Sequence, residues 1–435
     1  TIYPNTKVLN LPIILSDHAP ILISTEGQFC KPKQSFKLEN WWLLEKDFHD
    51  HAKAAWNSTR SASFSARTSS LAGSLKRWCR KKKPIQQELK DIEGQINQIQ
   101  LKPLHQQDHA LENELTLRYE QNLSKLNQFY KQRAKKPWAK DGDRNTRFFH
   151  QAILKRRKRN TIVSIKDEND VIHFKPTQVA NTFVNYFRYI FSSPNINLGR
   201  PFLPTQPLIQ SDDFTYSIPD KQEILQILKD MKLNASPGPD GFNVEFYLAS
   251  WDWIGDEVID LVISFYKSGI LPPHISDTNI ALIPKKLAPQ VPMDFRPISL
   301  CNVVYKIIAK SLANRLKPHL PDYIDPAQQA FIEGRRISDS IIIAQEITHS
   351  FALKSWEHHA FMLKIDLAKA FDRLEWNFIV SALARKGLHD HFINLIYACI
   401  STPTFSVIIN GQPSHKFKSH RGIRQVALCL LISLF

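Results

Sequence analysis

The stretch FMLKIDLAKAFDRLEW, residues 361–376, limits the possible folds more than any other part of the chain. Apolar and polar residues alternate from Phe361 to Asp366, which is typical of a strand with one buried face. The alternation stops at Asp366, so we expect this carboxylate at a strand end, on the rim of a sheet. An isolated carboxylate is costly to bury there, and a hard cation such as Mg²⁺ would compensate for the cost. Asp372, followed three residues later by Glu375, instead predicts the N-cap of the next helix.

Basic residues follow two further predicted strands. The apolar run NIALIP ends just before Lys285, and DFRPISLC carries Arg296 before a proline that fixes the local backbone. Cations at two strand ends and a carboxylate at a third form the charge pattern that a nucleoside-triphosphate polymerase needs. The cations would neutralise the triphosphate, and the carboxylate would hold metal ions. Taken without these neighbours, Asp366 would be better explained as a structural cap or a surface carboxylate.

The charge of the chain favours a polyanionic partner. The net charge is +16 at pH 7 and the isoelectric point is about 9.5, which favours nucleic acid over a membrane. A merely basic protein without such a partner is the alternative. The five cysteines lie far apart and form no C-x-x-C pair. We therefore expect neither a zinc site nor disulfides, and an intracellular location in the nucleus or the cytoplasm. No apolar run is long enough to cross a membrane, so we expect no membrane partner.

Four regions differ in their sequence pattern. Residues 1–33 contain LPIILSDHAPILIS, two apolar runs around a polar triplet that predict strand, loop and strand. Residues 34–135 are basic and helical. Residues 136–215 hold a second basic segment and a proline-containing linker. Residues 216–435 begin with a helix-start pattern and then mix helices with short strands, which predicts an α+β domain.

The helical region contains apolar residues at spacings of three and four. These residues are Leu89, Ile92, Ile96 and Ile99, then Leu111, Leu115 and Tyr119. The spacing fits a short coiled coil or a helical hairpin packed on the core. We favour the hairpin, because Pro84 and Pro103 bound the first stripe and the stripe is too short for a sustained coiled coil.

Two further segments carry functional signals. The run KRRKR, Lys155–Arg159, fits a nuclear-import signal, an RNA-backbone contact or a solvated helix face equally well. The stretch FSVIINGQPSHKFKSHRGIRQ predicts a β-hairpin that turns at Asn410-Gly411. It ends in a basic loop whose glycine permits the backbone to approach a substrate closely.

Taken together, these motifs resemble the reverse transcriptase domain of LINE-type non-LTR retrotransposons, most closely those of plants. The resembling stretches are NASPGPDGFNVEFY, LIPKK, DFRPISLCNVVYKIIAKSLANRL, QQAFIEGRRISDSI, KIDLAKAFDRLEW and INGQPSHKFKSHRGIRQ. WAKDGDRNTRFFH resembles the segment before the polymerase in these elements, and SDHAPI resembles the tail of their endonuclease. The resemblance implies the fingers and a partial palm of a right-hand polymerase. A basic helical region and the tail of an endonuclease/exonuclease/phosphatase-like domain would precede them.

The resemblance also implies roles at the nucleotide site. Asp366 matches the catalytic carboxylate that binds Mg²⁺, and Phe371 matches the bulky residue that excludes the ribose 2′-hydroxyl group. Arg296 matches a residue that contacts the incoming triphosphate, and Lys285 is a weaker candidate for the same task. Gln425 matches the residue beside the incoming nucleotide and the template.

The resemblance assigns other residues to nucleic acid. The segments GPDG at 238–241 and QQAFIEGRR at 328–336 resemble parts of the fingers that lie near template RNA. The candidate nucleic-acid contacts are Arg335, Arg336, Lys155, Arg156 and Arg157. Asp17 and His18 match the closing pair of the endonuclease, in which histidine acts as a base and aspartate orients it. Because the rest of that domain would precede Thr1, we expect no nuclease activity.

The implied activity is RNA-directed DNA synthesis. An RNA template, a DNA primer and deoxynucleoside triphosphates would be the partners, and the oligomeric state stays open. The alternative is a non-catalytic RNA-binding relic or a splicing factor of the maturase kind. After Gln425 the family pattern continues Gly-Asp-Pro-Leu-Ser-Pro and reaches two adjacent aspartates, whereas this chain reads VALCLLISLF and ends. We therefore expect a truncated and degenerate copy that is inactive alone, since two-metal catalysis needs carboxylates from both segments. Codons for this tail can be chosen that encode Gly-Pro-Leu-Ser-Pro-Tyr-Leu-Phe-Ile in a shifted frame, so we hypothesise a frameshift after Gln425.

Overall fold

The computed structural model of the 435-residue chain describes residues 7–10, 21–24, 35–134, 146–193, 217–325, 327–329, 332, 334–353, 361–366 and 369–423. The α-helices in these ranges are α1 (Phe48–Asn57), α2 (Phe64–Arg80), α3 (Ile85–Gln100), α4 (His109–Ala134), α5 (Thr146–Asn160), α6 (Pro176–Phe191), α7 (Lys221–Lys229), α8 (Val244–Ala249), α9 (Trp251–Ser268), α10 (Val303–Leu316), α11 (Leu320–Tyr323), α12 (Ile337–Leu353), α13 (Ala370–Arg373), α14 (Trp376–Arg385) and α15 (Asp390–Ser401). The strands are β1 (Lys7–Asn10), β2 (Ile21–Ser24), β3 (Ile165–Lys166), β4 (Ile172–His173), β5 (Thr278–Pro284), β6 (Phe295–Cys301), β7 (Thr404–Ile409), β8 (Gln412–Pro413) and β9 (Phe417–Lys418). This mixture of helices and strands confirms the predicted α+β class, while the boundaries of the four regions remain predictions.

The predicted helical hairpin is present as α3 and α4. Ile92, Ile99 and Leu115 form a small buried core between the two helices. The helices before the hairpin pack on the central body of the protein. There the indole nitrogen of Trp56 donates to Glu257 Oε1 at 3.0 Å, and the Arg67 guanidinium lies 4.1 Å from the centre of the Trp56 ring. The hairpin is therefore anchored at its base, since α2 leads directly into it.

A mixed sheet with strand order β6-β5-β7-β8 forms the centre of the second half of the chain, and β9 pairs with β7. Strand β5 is antiparallel to β6 and parallel to β7. Helix α6 covers one face, where Phe183 and Phe187 pack in one buried cluster with Ile280 and Val407. The predicted hairpin turn is confirmed, because β7 and β8 pair around Asn410-Gly411, and both turn residues have positive φ.

The helix-start pattern before α7 is also confirmed. Asp220 is the N-cap, and its carboxylate accepts a hydrogen bond of 2.6 Å from the Glu223 amide. Glu223 in turn binds the buried guanidinium of Arg315 on α10 through contacts of 2.7 and 3.1 Å. This bidentate pair joins the start of the polymerase-like region to the largely buried helix α10.

The prediction of a half-buried strand at residues 361–366 is wrong for the described structure. The segment forms neither helix nor strand, and Phe361, Leu363 and Ile365 are 85%, 71% and 76% exposed. A strand needs a neighbour for its backbone hydrogen bonds, and no described strand pairs with this segment. The apolar alternation is therefore real in sequence, but without a partner strand it does not produce a buried face.

The predicted N-cap at Asp372 is also wrong. Asp372 lies inside α13, and the N-cap of α14 is Glu375, which makes no side-chain capping hydrogen bond. Asp372, which the sequence spacing assigned to the cap of the next helix, instead belongs to the short helix α13. Capping depends on where the backbone leaves the helical region, and spacing alone does not determine that point.

The first region forms an antiparallel pair of strands. The second apolar run gives β2 as expected, but β2 pairs with β1, which precedes the first apolar run. The first apolar run and the polar triplet that contains Asp17 and His18 lie outside the described residues, and so does the 424–435 segment with Gln425 and the hypothesised frameshift. In the part of the chain that the structure describes, no helix is both long and apolar enough to span a bilayer.

Candidate nucleotide and nucleic-acid sites

Strands β5 and β6 place two cations at one end of the sheet. Arg296 pairs in register with Ile283, and Lys285 follows the last residue of β5 directly. Both side chains are exposed. Lys285 Nζ donates to the carbonyl of Met293 at 2.9 Å, and Arg296 makes no ion pair with any described residue. The guanidinium of Arg296 is therefore open to an anionic ligand.

The turn between these strands is organised by Asp294. Its carboxylate accepts hydrogen bonds from the amides of Gln290 at 2.8 Å and Val291 at 3.1 Å, and it pairs with Lys286 at 3.0 Å. Burial opposes the ionisation of Asp294, but these contacts outweigh burial and hold its pKa below the ordinary value. The turn is thus fixed by a charged group, and it positions Lys285 and Arg296 relative to each other.

A loop formed by residues 421–423 lies against α13. The amide of Gly422 donates to Leu374 O and the amide of Ile423 donates to Phe371 O, both at 2.7 Å. The indole of Trp376 donates to Gly422 O at 2.8 Å. Gly422 has φ +84°, and a Cβ atom there would lie 2.6 Å from the carbonyl oxygen of Asp372. Only glycine fits this close approach, which brings the chain before Gln425 next to Phe371.

Arg421 extends this contact to two other helices. Its Nε donates to the carbonyl of Ile190 at 2.7 Å, near the end of α6, and its Nη1 contacts Glu375 at 3.2 Å. The loop, α6 and the start of α14 therefore form one connected unit. Phe371 is half-buried and packs against the main core of the protein, so its backbone position is defined from both sides.

A polar cluster of three residues lies beside Phe371. Lys369, the residue before α13, contacts the hydroxyl group of Tyr186 on α6, and its Nζ lies 4.4 Å from the centre of the Tyr186 ring. Burial raises the pKa of Tyr186 to about 12. Burial also lowers the pKa of Lys369, with Asp372 acting in the opposite direction. A desolvated ammonium group therefore lies beside the proposed nucleotide site.

The third member of this cluster, Asp372, lines a small internal cavity. The cavity measures about 30 Å³, and Tyr305 and Arg421 also line it, so it can hold about two water molecules. Burial raises the pKa of Asp372 to about 6, while Lys369 and Arg373 lower it. The carboxylate accepts no hydrogen bond from any other described residue, which leaves it poorly compensated near neutral pH.

The candidate metal ligand stands apart from these contacts. Asp366 ends the exposed segment 361–366, and its side chain is exposed. Within the described ranges no three histidine, cysteine, aspartate or glutamate side chains lie close enough together to bind a metal ion. The described residues therefore do not form a Mg²⁺ site around Asp366.

The candidate nucleic-acid contacts differ in their availability. Arg335 donates to the carbonyl oxygens of Asp325 and Gln328, both at 2.7 Å, and to those of Pro321 and Ile324 at 3.2 and 3.1 Å. Its guanidinium closes a loop of the same chain. The neighbouring Arg336 is exposed. Exposed side chains also characterise the basic end of α5, which carries Lys155, Arg156 and Arg157.

The GPDG segment lies at one wall of a polar cleft of about 710 Å³. Gly238 is packed so tightly that a Cβ atom would lie 2.3 Å from Asn302 Oδ1, and Gly241 has φ +81° and approaches the carbonyl of Phe36. The Asp240 carboxylate accepts from the Phe242 amide at 3.1 Å and faces the cleft. Burial raises the pKa of Asp240 to about 7.

Across this cleft, Asp277 holds the hairpin β7–β8 to the start of β5. Its carboxylate accepts from Lys416 Nζ and Thr404 Oγ1, both at 2.6 Å, and from His274 Nδ1 at 3.0 Å. Burial opposes ionisation, but these three contacts hold the pKa of Asp277 below the ordinary value. We interpret this network as structural, because all three partners donate hydrogen bonds to the Asp277 carboxylate and so satisfy its acceptors.

Sequence reasoning missed three residues near the nucleotide site. They are Tyr186, Lys369 and Asp372. Tyr186 is 183 positions away from Lys369, and Asp372 was assigned to a helix cap. The sequence offered one signal for Asp372, its place directly after Phe371 in the motif. It offered none for Tyr186.

Comparisons with known proteins agree with this geometry. Residues 283–425 match the protein family described as reverse transcriptase (RNA-dependent DNA polymerase). This range contains the two cations of the β5–β6 hairpin, Asp366, Phe371 and the 421–423 loop. The predicted similarity to a reverse transcriptase domain is therefore confirmed for this part of the chain.

Similar proteins come from non-LTR retrotransposons. The chain is 28% identical over 290 residues to the transposon TX1 uncharacterized 149 kDa protein of Xenopus laevis, covering 66% of this chain and 22% of that protein. It is 27% identical over 197 residues to the Pol polyprotein of the R2DM element of Drosophila melanogaster, covering 45% of this chain and 18% of that protein. It is 26% identical over 188 residues to the R2 Pol polyprotein of Nasonia vitripennis, covering 43% of this chain and 18% of that protein. The chain thus spans about a fifth of the length of these curated relatives.

Proposed function

We propose that this chain is the nucleotide-binding part of an RNA-directed DNA polymerase encoded by a non-LTR retrotransposon. One observation carries the proposal. The stretch that matches the reverse transcriptase family folds so that its first segment, the β5–β6 hairpin, and its last, the 421–423 loop, lie near α13. Parts of distant motifs therefore lie near one another around α13, while Asp366 stands apart from them.

In this proposal the cations bind the triphosphate of the incoming deoxynucleotide. Arg296 and Lys285 would neutralise phosphate oxygens, because both are exposed and lie near the same end of the β5–β6 hairpin. Phe371 would face the sugar and exclude a 2′-hydroxyl group by its bulk. The primer 3′-hydroxyl would attack the α-phosphorus, with pyrophosphate leaving.

The assignment of Asp366 to metal binding rests on sequence resemblance. The family generally uses divalent metal ions, and we propose Mg²⁺ for the complete enzyme. The described residues do not form a site for it. The role proposed for this chain is therefore the binding and orientation of the nucleotide, and we propose that the chain alone does not extend primers.

RNA template and DNA primer are the proposed nucleic-acid partners. Arg336 and the exposed end of α5 offer cations that no described contact engages in an ion pair. Arg335 contributes to the proposal by holding the loop that carries Arg336. We further propose an element of the plant type, a remnant endonuclease pair at Asp17 and His18, a nucleotide contact by Gln425, and a location in the nucleus or the cytoplasm.

A binding experiment separates this proposal from a non-catalytic RNA-binding relic. Equilibrium dialysis with dATP should show saturable binding that Arg296→Gln weakens, while Lys267→Gln, on the exposed end of α9, leaves it unchanged. A relic would bind RNA but show no dATP binding sensitive to Arg296. RNA affinity should also fall steeply as the salt concentration rises. When residues 155–157 are replaced by glutamine, the slope of log affinity against log salt concentration should become smaller by roughly 0.7 per lost phosphate contact.

A further inference from the structure

Lys369 has an environment that ordinary surface lysines do not have. Its ammonium group contacts the Tyr186 hydroxyl, lies 4.4 Å from the centre of the ring, and is half-buried between α13 and α6. Two further cations, Lys285 and Arg373, are close enough to affect it electrostatically, against one carboxylate, Asp372. The positive charge at this point is therefore in excess of its local counter-charge.

The backbone of Lys369 is equally unusual. Its φ and ψ are +56° and +46°, the left-handed region that a residue with a Cβ atom adopts at a cost. Such conformations are typical of functional sites, where the surrounding structure holds the residue in place. In this conformation the side chain of Lys369, which is two residues before Phe371, contacts Tyr186.

Tyr186 links this lysine to the β5–β6 hairpin. The helix that carries Tyr186 packs against α13 and against the 3₁₀ turn Pro292–Asp294. Asp294 is close enough to influence the phenol electrostatically. The phenol therefore lies between Lys369 and the turn that positions Lys285 and Arg296.

We propose that Lys369 is a third phosphate-binding cation of the nucleotide site, held by the Tyr186 hydroxyl in the free protein and transferred to the triphosphate when a nucleotide binds. This inference rests on the proposed function. A polyanion near Lys285 would supply the counter-charge that Asp372 alone does not supply. The neutral phenol is a weak partner for an ammonium ion, so phosphate oxygens would replace it readily.

Two substitutions distinguish this role from a structural one. Lys369→Gly removes the ammonium group and also relieves the left-handed backbone, so the variant should fold at least as well as the wild type. Its dATP affinity should nevertheless fall roughly tenfold, the effect of one hydrogen bond to a charged group. Tyr186→Phe releases the lysine without removing it and should raise dATP affinity. A purely structural contact would predict lower thermal stability for both variants and no opposite change in affinity.

Chemical labelling locates the effect. Pyridoxal 5′-phosphate condenses with a lysine amine to give an imine and water, and borohydride reduces the imine to a stable amine that peptide mass spectrometry detects. We expect labelling of Lys369 and Lys285 in the full chain. Tripolyphosphate and dATP should protect both residues, adenosine should protect neither, and labelling of the remote Lys267 should not change.

The outcomes separate the two proposals. If dATP protects Lys285 but not Lys369, or if Lys369 is not labelled at all, the role proposed for Lys369 is wrong and the nucleotide site stands. If dATP protects neither lysine and Arg296→Gln does not alter dATP binding, the proposed function itself fails. Protection of Lys369 together with opposite affinity changes in Lys369→Gly and Tyr186→Phe supports the inference.

Discussion

Substitution of Gly422 by alanine should open the contact between the 421–423 loop and α13. Two costs combine at this position. The left-handed backbone at φ +84° disfavours alanine by about 1 kcal/mol or somewhat more. The new Cβ atom would lie 2.6 Å from the carbonyl oxygen of Asp372 and 2.9 Å from its carbon, and relieving such overpacking typically costs about 1–3 kcal/mol. We expect a total loss of about 2–4 kcal/mol.

Gly411 provides the matched control. It has φ +87°, but no atom lies within 4 Å of the position its Cβ would take. Gly411→Ala should therefore show the backbone cost alone, about 1 kcal/mol. The difference between the two variants measures the steric contact with α13.

Hydrogen exchange at the Ile423 amide is the appropriate assay, because this amide donates to Phe371 O across the contact. A loss of 2 kcal/mol corresponds to roughly 30-fold faster exchange in Gly422→Ala, with little change at Ile423 in Gly411→Ala. Similar exchange at Ile423 in both variants would refute the reasoning, since the overlap with Asp372 would then carry no cost. Far-ultraviolet circular dichroism should confirm that both variants keep their helices.

Three further perturbations have definite expected outcomes. Arg315→Lys cannot keep the bidentate contact with Glu223, and chemical denaturation should show a loss of about 2–3 kcal/mol that an exposed Lys267→Ala does not show. Burial raises the pKa of Asp372 to about 6, so its contribution to wild-type stability should be lost as pH rises from about 4 to about 6, and this slope should be absent in Asp372→Asn. Burial opposes the ionisation of Asp277, but Lys416 and two other donors hold its pKa below the ordinary value. Stability should thus be lost as pH falls below about 4, and Asp277→Asn should flatten that loss in denaturation curves.

Local rules predicted much of the fold. The Asp220 N-cap and the Asn410-Gly411 turn depend on residues a few positions apart, and both are present. The α3–α4 hairpin followed from helical periodicity bounded by prolines. The cap, the turn and the apolar stripe of each helix depend on residues a few positions apart, which a sequence shows directly.

The failures depend on partners that the sequence does not show. Residues 361–366 have strand-like alternation, but a strand is defined by the neighbour that shares its hydrogen bonds. The same limit applies to the site. Tyr186 contacts Lys369 from 183 positions away, and the residue type of Lys369 does not predict its positive φ. Arg335 remains a candidate nucleic-acid contact by resemblance, and its charge alone does not reveal that four carbonyls of the same chain accept hydrogen bonds from it.

The central place of β5 has a consequence for how the protein is made. Thr278 of β5 pairs with Phe405 of β7, more than a hundred positions later, and parallel pairing over such a separation is slow to form. At a synthesis rate of about 5–20 residues per second, roughly 6–25 s pass before β7 is available. During that interval β5 can pair with β6, but its other edge is without its native neighbour. A ribosome paused before Thr404 would therefore present an apolar strand edge to chaperones.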